Sequence, residues 1–139
     1  MKNILEEIAA RTRERIAKEK TCISVSELEN RIQEVNKNAR QKITFLQALQ
    51  KDGMSYICEV KKASPSKGLI APDFPYLAIA KEYEQAGASA ISCLTEPFYF
   101  QGADQYMREI SAAVQIPVLR KDFTVDEYMI YQAKAFGAS

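Results

Sequence analysis

Among the 139 residues there is no histidine. That absence excludes a His-dependent catalytic triad and a His-ligated metal site, and it moves acid–base work onto Lys, Glu, Asp or Tyr. Cysteine is scarce and odd in number, with Cys22, Cys58 and Cys93 showing no CxxC spacing. Cys58 and Cys93 lie in apolar runs and read as buried free thiols acting as small hydrophobes. Excess charge is missing too: 19 basic and 18 acidic residues leave a net charge of +1. No global field therefore draws nucleic acid or a membrane surface, although local basic patches are still allowed. No apolar run approaches the ~18 residues of a membrane span. The opening Met1-Lys2-Asn3-Ile4-Leu5-Glu6-Glu7 carries acids where a secretory signal has its apolar core, so a cytoplasmic protein is expected.

What is present is ordinary globular composition, 47% apolar and 27% charged. The length suits one core and is short for two ordinary domains. Residues 2 to about 20 are helix-like, with Ile4, Leu5, Ile8, Ala9, Thr12 and Ile16 on one stripe. Thr21 to Ser24 break that pattern. Ser26-Glu27-Leu28-Glu29 has capping-box spacing, which makes Ser26 the expected cap of a second helix through Leu28, Ile32 and Val35. Residues 36–42 are polar and basic and read as a solvated connector. Phe45 to Leu49 make a short helical turn that Lys51-Asp52-Gly53 stops.

From Met54 the pattern becomes strand, loop, helix, repeated. Tyr56–Val60 is the first expected strand, and a helix from Tyr76 to about Gln85 follows, with Gly87 as its stop. Ser89–Leu94 is the second strand, Thr95–Gly102 its loop, and Asp104 begins a helix through Met107, Ile110 and Val114. Ile116–Leu119 is the third strand, with Pro117 near its start. Arg120–Thr124 is its loop, and Val125 to about Phe136 is the last helix. Strands spaced by roughly 30 residues, each followed by a helix, predict parallel βαβ units with right-handed crossovers. Residues 1–50 then form an N-terminal helical extension and 51–139 the first βα units. Ala86-Gly87-Ala88-Ser89 leads into the second strand, and Phe136-Gly137-Ala138-Ser139 repeats that signal at the end of the chain. By this analogy a fourth strand is due next, so a truncated βα repeat is expected.

The segment Ser55–Gly68 carries chemistry. Strand alternation puts Glu59 and Lys61 on one face with Ile57, and Tyr56, Cys58 and Val60 on the other. A carboxylate and an ammonium at the end of a buried strand suit either a structural ion pair or a site. Lys121-Asp122 at the end of the third strand offers the same choice, and Ser64-Pro65-Ser66 by itself reads as an ordinary turn.

Cys58-Glu59-Val60-Lys61-Lys62-Ala63-Ser64-Pro65-Ser66-Lys67-Gly68 resembles the signature of indole-3-glycerol phosphate synthase, a (β/α)8 TIM barrel family of tryptophan biosynthesis. Leu94-Thr95-Glu96 with Phe100-Gln101-Gly102 is similar to that family's second strand and loop, and Leu119-Arg120-Lys121-Asp122-Phe123 to its third. The helical segment ahead of the first strand resembles the family's extension over the barrel mouth. The resemblance implies an α/β fold of which this chain is a truncated barrel, since a complete one takes about 250 residues. It also implies a carboxy-lyase reaction without cofactor or metal. In this reaction 1-(2-carboxyphenylamino)-1-deoxyribulose 5-phosphate closes to indole-3-glycerol phosphate with loss of carbon dioxide and water.

By the same resemblance Lys121 is the general acid at the ketone, and Lys61 holds the substrate carboxylate or assists proton transfer. Glu59 orients Lys61 or bonds substrate hydroxyls, Ser64 contributes to phosphate contact, and Phe100 and Phe123 pack the anthranilate ring. Lysines near other cations suit such acid work, because a neighbouring positive charge lowers an ammonium's pKa. The family's second acid–base carboxylate and its main phosphate loops lie on later strands. The expected partners are thus a phosphorylated small molecule and, for the protein itself, a second copy or the missing C-terminal half-barrel. Two other readings are a phosphate-handling barrel aldolase with a Schiff-base lysine and a non-catalytic half-barrel module.

Overall fold

Asn3 starts the first element: its side chain accepts a hydrogen bond from Leu5 N–H at 3.1 Å, and helix α1 follows over Ile4–Cys22. The computed structural model describes residues 3–38 and 43–139. Ile8, Thr12 and Ile16 form the buried stripe of α1, while Ile4 and Leu5 stay exposed at its first turn. Helix α2 spans Val25–Asn38. Its cap is Ser24, not Ser26: the Ser24 hydroxyl accepts from Glu27 N–H at 3.2 Å. Ser24-Val25-Ser26-Glu27 has the same S-x-x-E spacing two residues earlier, so two overlapping boxes compete and the first ends the break after α1 sooner. The expected connector over 36–42 is helical through Asn38, and its remainder lies outside the described residues. Helix α3, Phe45–Leu49, is closed by a full capping box in which Thr44 and Gln47 bond each other's backbone N–H.

The β/α part follows in order: β1 Ile57–Val60, β2 Ala63–Ser64, β3 Gly68–Leu69, α4 Tyr76–Gln85, β4 Ala90–Leu94, α5 Asp104–Ala113, β5 Val118–Lys121 and α6 Tyr128–Ala135. The main sheet has the order β1-β4-β5, all parallel, and β2 pairs with β3 as a small antiparallel hairpin. The hairpin replaces the expected loop after β1, because Ser64 Oγ accepts from Lys67 N–H and closes a turn tight enough to pair the flanking residues. β5 reaches Lys121 where Leu119 is the expected end. Charged residues there belong to the strand because each finds a place on its own face, as the site below makes plain. Helix α6 starts at Tyr128 rather than Val125. Asp126 caps it through Tyr128 N–H at 2.9 Å and so keeps Val125 in the loop.

Register decides the two faces of the sheet. Cys58, Ile91 and Val118 lie side by side, as do Val60, Cys93 and Arg120. On this face Val60, Ile91, Cys93 and Val118 join Ala80, Met107, Ile110, Val114, Tyr128 and Met129 in one core. Ile16 and Leu28 extend that core into α1 and α2. Each fully buried aliphatic side chain contributes about 1.5–3 kcal/mol relative to its exposed state. The opposite face carries Ile57 and Glu59, then Ala90, Ser92 and Leu94, then Leu119 and Lys121. Its central strand is buried, yet Ile57 is 48% and Leu119 41% exposed, so the outer strands leave apolar surface uncovered. Among the described residues no helix is long and apolar enough to cross a membrane.

Candidate active site

Glu59 and Lys61 sit on the uncovered face at the C-terminal end of β1, their charges 2.7 Å apart. Each side chain is about one-third exposed, so the pair is solvated and contributes little stability by itself. Lys121 lies on the same face at the end of β5, beside Leu94 in the register. Continuing the β1–β4 register by one residue puts Lys61 on the other side of Leu94. The two lysine backbones are therefore two strand spacings apart, about 10 Å. Both lysines therefore stand on one face at the carboxyl ends of parallel strands, where α/β folds build their sites.

Ser64 is buried in β2, and its hydroxyl already accepts the Lys67 N–H that closes the hairpin. A hydroxyl has one donor and two acceptor positions, so its O–H is still able to donate to an anion. Phe100 and Phe123 come together from the loops after β4 and β5, with ring centroids 6.4 Å apart and planes tilted by 39°. The loop bearing Phe100 is pinned by Glu96, which is fully buried. Its carboxylate accepts backbone N–H groups of Phe98 at 3.1 Å, Tyr99 at 2.7 Å and Phe100 at 3.1 Å. Gly102 closes the loop by donating its N–H to Glu96 O at 2.8 Å. A Cβ there would stand 2.5 Å from Leu94 O and 2.7 Å from Thr95 Cα, so the backbone approach requires glycine.

The structure separates Lys121 from Asp122. Alternation sends the Asp122 side chain to the helix-covered side, where it is 1% exposed. Arg15 of α1 donates to both its carboxylate oxygens at 3.0 Å, Thr95 Oγ1 donates at 2.8 Å, and Phe123 N–H donates at 2.8 Å. Arg120, also buried, bonds Asp104 at 2.9 Å, Thr95 Oγ1 at 3.1 Å and the Met129 carbonyl at 3.2 Å, with Asp122 3.6 Å away. This network was invisible in the sequence because its side-chain partners Arg15, Thr95 and Asp104 lie far from Arg120 and Asp122 along the chain, up to 107 residues away. The one available signal was the charge density of Arg120-Lys121-Asp122, three charges that a strand cannot place on one face.

Helix α1 runs along the loops at these strand ends. Besides Arg15, Glu7 accepts from Tyr99 OH at 2.6 Å, and Arg11 stands over the rings of Phe98 and Tyr99. The Glu7 contact is the first cause holding the Tyr99 phenol above its ordinary pKa. Lys20 bonds Asp126 at 2.7 Å, and Tyr128 OH donates to Ile23 O at 2.9 Å. A separate cleft of about 540 Å³, lined by Ser26, Glu29, Asn30, Ile32, Gln33 and Tyr131, shares no residue with the site. Among the described residues no group of three or more Cys, Asp and Glu is gathered to hold a metal.

Comparison with known proteins gives the family. The family model for indole-3-glycerol phosphate synthase matches residues 5–139. The indole-3-glycerol phosphate synthase of Lacticaseibacillus paracasei is 53% identical over 135 residues, which cover 97% of this chain and 51% of the relative. Those of Ruminiclostridium cellulolyticum and Aliarcobacter butzleri are 50% and 46% identical, again over 97% of this chain and 51% of each relative. The chain spans about half the length of the curated relatives it matches.

Proposed function

This chain belongs to the indole-3-glycerol phosphate synthase family, and from that premise we propose that it is the N-terminal portion of such a synthase. In this reading residues 1–50 are the helical extension and 51–139 the first βα units of a TIM barrel. The observation that carries the reading is the gathering of Glu59, Lys61 and Lys121 on one uncovered face at the carboxyl ends of parallel strands. Lys121 protonates the ketone of 1-(2-carboxyphenylamino)-1-deoxyribulose 5-phosphate as the aromatic carbon attacks it. Lys61 holds the substrate carboxylate until carbon dioxide leaves, and Glu59, 2.7 Å from Lys61, fixes that ammonium's direction. The tilted pair Phe100–Phe123 offers an apolar wall for the anthranilate ring. Ser64 donates its O–H to the phosphate while its lone pair stays on Lys67 N–H. No cofactor is required by these steps, and the working place is the cytoplasm.

The chain by itself is expected to lack appreciable synthase activity. Its uncovered face and the open edges of β1 and β5 are the surface on which the remaining half-barrel, or a second copy, would pair. The test is a turnover assay of the chain alone and of the chain mixed with the C-terminal half of the Lacticaseibacillus paracasei synthase. Product is expected only from the mixture, and Lys121→Met in the mixture should slow turnover by at least about 100-fold. Near-normal rates from the chain alone would overturn the incompleteness, and an undiminished Lys121→Met rate would overturn the assignment of the acid.

A further inference from the structure

Asp122 stands between two residues of the proposed site, Lys121 and Phe123. Its carboxylate does not face the site. It is buried on the other side of β5 and held there by five contacts: two from Arg15, and one each from Thr95, Phe123 N–H and, at 3.6 Å, Arg120. A strand end is free to roll about its own axis once its ladder stops, and such a roll re-aims every side chain on it. Thr95 N–H on Lys121 O, at 3.0 Å, is a late rung of that ladder. Lys121 is the last paired residue of β5, so the way the strand end leaves it depends on where Asp122 is held. The direction of Phe123 depends on it as well, because the Asp122 carboxylate bonds the Phe123 N–H directly.

The strongest of these holds comes from outside the β/α part. Arg15 lies in α1, 107 residues earlier, and offers two N–H···O bonds from one guanidinium nitrogen, 11% exposed, to a carboxylate that is 1% exposed. A charge-assisted contact of this kind, out of water, is directional as well as strong. The rest of α1 reinforces the hold at both neighbouring loops, through Glu7 on Tyr99 and Lys20 on Asp126.

We propose that Arg15 and Asp122 are positioning residues, through which the N-terminal helix aims Lys121 and Phe123 into the site. This rests on the reading of Lys121 as the general acid. It adds that the N-terminal helix serves the chemistry as well as the packing, with Arg15 acting on the acid through one buried carboxylate.

The test has two arms that fail separately. In the first, the full chain is labelled for NMR, and the contact between the Phe100 and Phe123 rings and the rotamer averaging of Lys121 are read in Arg15→Met, Arg15→Lys and Asp122→Asn. Arg15→Met is expected to keep native helical circular dichroism while losing the ring contact and gaining Lys121 averaging. Arg15→Lys keeps the charge but not the paired bonds and should restore part of both. A variant that only loosened helix α1 would leave ring contact and Lys121 unchanged, and that result overturns the proposal. Should Arg15→Met fail to fold, Arg15→Lys and Asp122→Asn decide it by the same readout. In the second arm, turnover is measured in the mixture with the C-terminal half. Arg15→Met should lower kcat by about 100-fold, the size expected for a misplacement of about 1 Å, with KM changed less than about threefold. Loss of activity in Lys121→Met beside an unchanged kcat in Arg15→Met overturns the positioning role alone. An unchanged rate in Lys121→Met overturns the acid reading while the NMR arm still judges the geometry.

Discussion

Replacing Glu96 by alanine is the sharpest probe of how the site loops are built. The carboxylate is fully buried and accepts three successive backbone N–H groups, those of Phe98, Tyr99 and Phe100. Two effects oppose each other. Three hydrogen bonds to a charged acceptor gross roughly 4–9 kcal/mol. Burying the carboxylate costs several kcal/mol of lost hydration. Alanine relieves that second cost but strands three donors whose directions were set by the carboxylate. The net expectation for Glu96→Ala is a destabilisation of about 2–4 kcal/mol. Glu96→Gln separates charge from shape. Its single carbonyl oxygen can replace Oε2, which takes the Tyr99 and Phe100 bonds, but its NH2 then meets the Phe98 N–H donor-to-donor. A loss of about 1–2 kcal/mol is expected for it. Urea denaturation at pH 7, with m-values checked for constancy, measures both. If Glu96→Ala is as stable as the parent or more so, the desolvation term dominates and the carboxylate is not what holds the loop.

Other outcomes follow from single features. Gly102→Ala should cost about 1–3 kcal/mol in the same urea assay, because the added Cβ meets Leu94 O and Thr95 Cα, which are backbone and cannot turn aside. Burial pushes the Cys93 thiol up from 9.0 to about 12. A thiol reagent at pH 8 should therefore label exposed Cys22 quickly and Cys93 only on unfolding. The sign for stability follows: the folded state keeps the proton that the unfolded chain loses above pH 9, so the Cys93 contribution is complete below pH 9 and fades as pH rises toward 12. Alkaline urea titrations of Cys93→Ala against the parent should show the difference shrinking over that range. Asp126, held below its ordinary pKa first by the Lys20 hydrogen bond and then by Tyr128 N–H, should keep its bond to Lys20 until pH falls below its ordinary value and through its lowered folded one, with little effect on stability because the pair is exposed. Asp126 chemical shifts followed by acid titration would check it.

The β/α order was legible because local chemistry and tertiary need agree there. Gly87 and Gly137 both take positive φ and stop helices at the same point of the repeat, and the strands carry apolar residues where a helix-covered face needs them. The charged face of β1 was legible for the same reason, since alternation alone puts Glu59 beside Lys61. The end of β5 was not. A run of Arg120, Lys121 and Asp122 reads as loop, and the side chains of Asp104, Thr95 and Arg15, all distant in sequence, help make a buried Arg120 and Asp122 tolerable. For the same reason Lys121 and Asp122 point to opposite sides of the strand, where the sequence left a surface pair open. Ser24 and Ser26 both fit one capping-box spacing, and only the geometry of the break after α1 selects Ser24.

The bond between Arg15 and Asp122 spans 107 residues, and this orders events while the chain is being made. At roughly 5–20 residues per second, a ribosome takes about 5–20 seconds to travel from Arg15 to Asp122. During that interval α1 has no β5 to rest on, and its Ile8 and Ile16, both buried in the finished fold, face solvent. Closing so long a loop also has its entropy to overcome before any contact rewards it. The first helix synthesised is therefore among the last to dock.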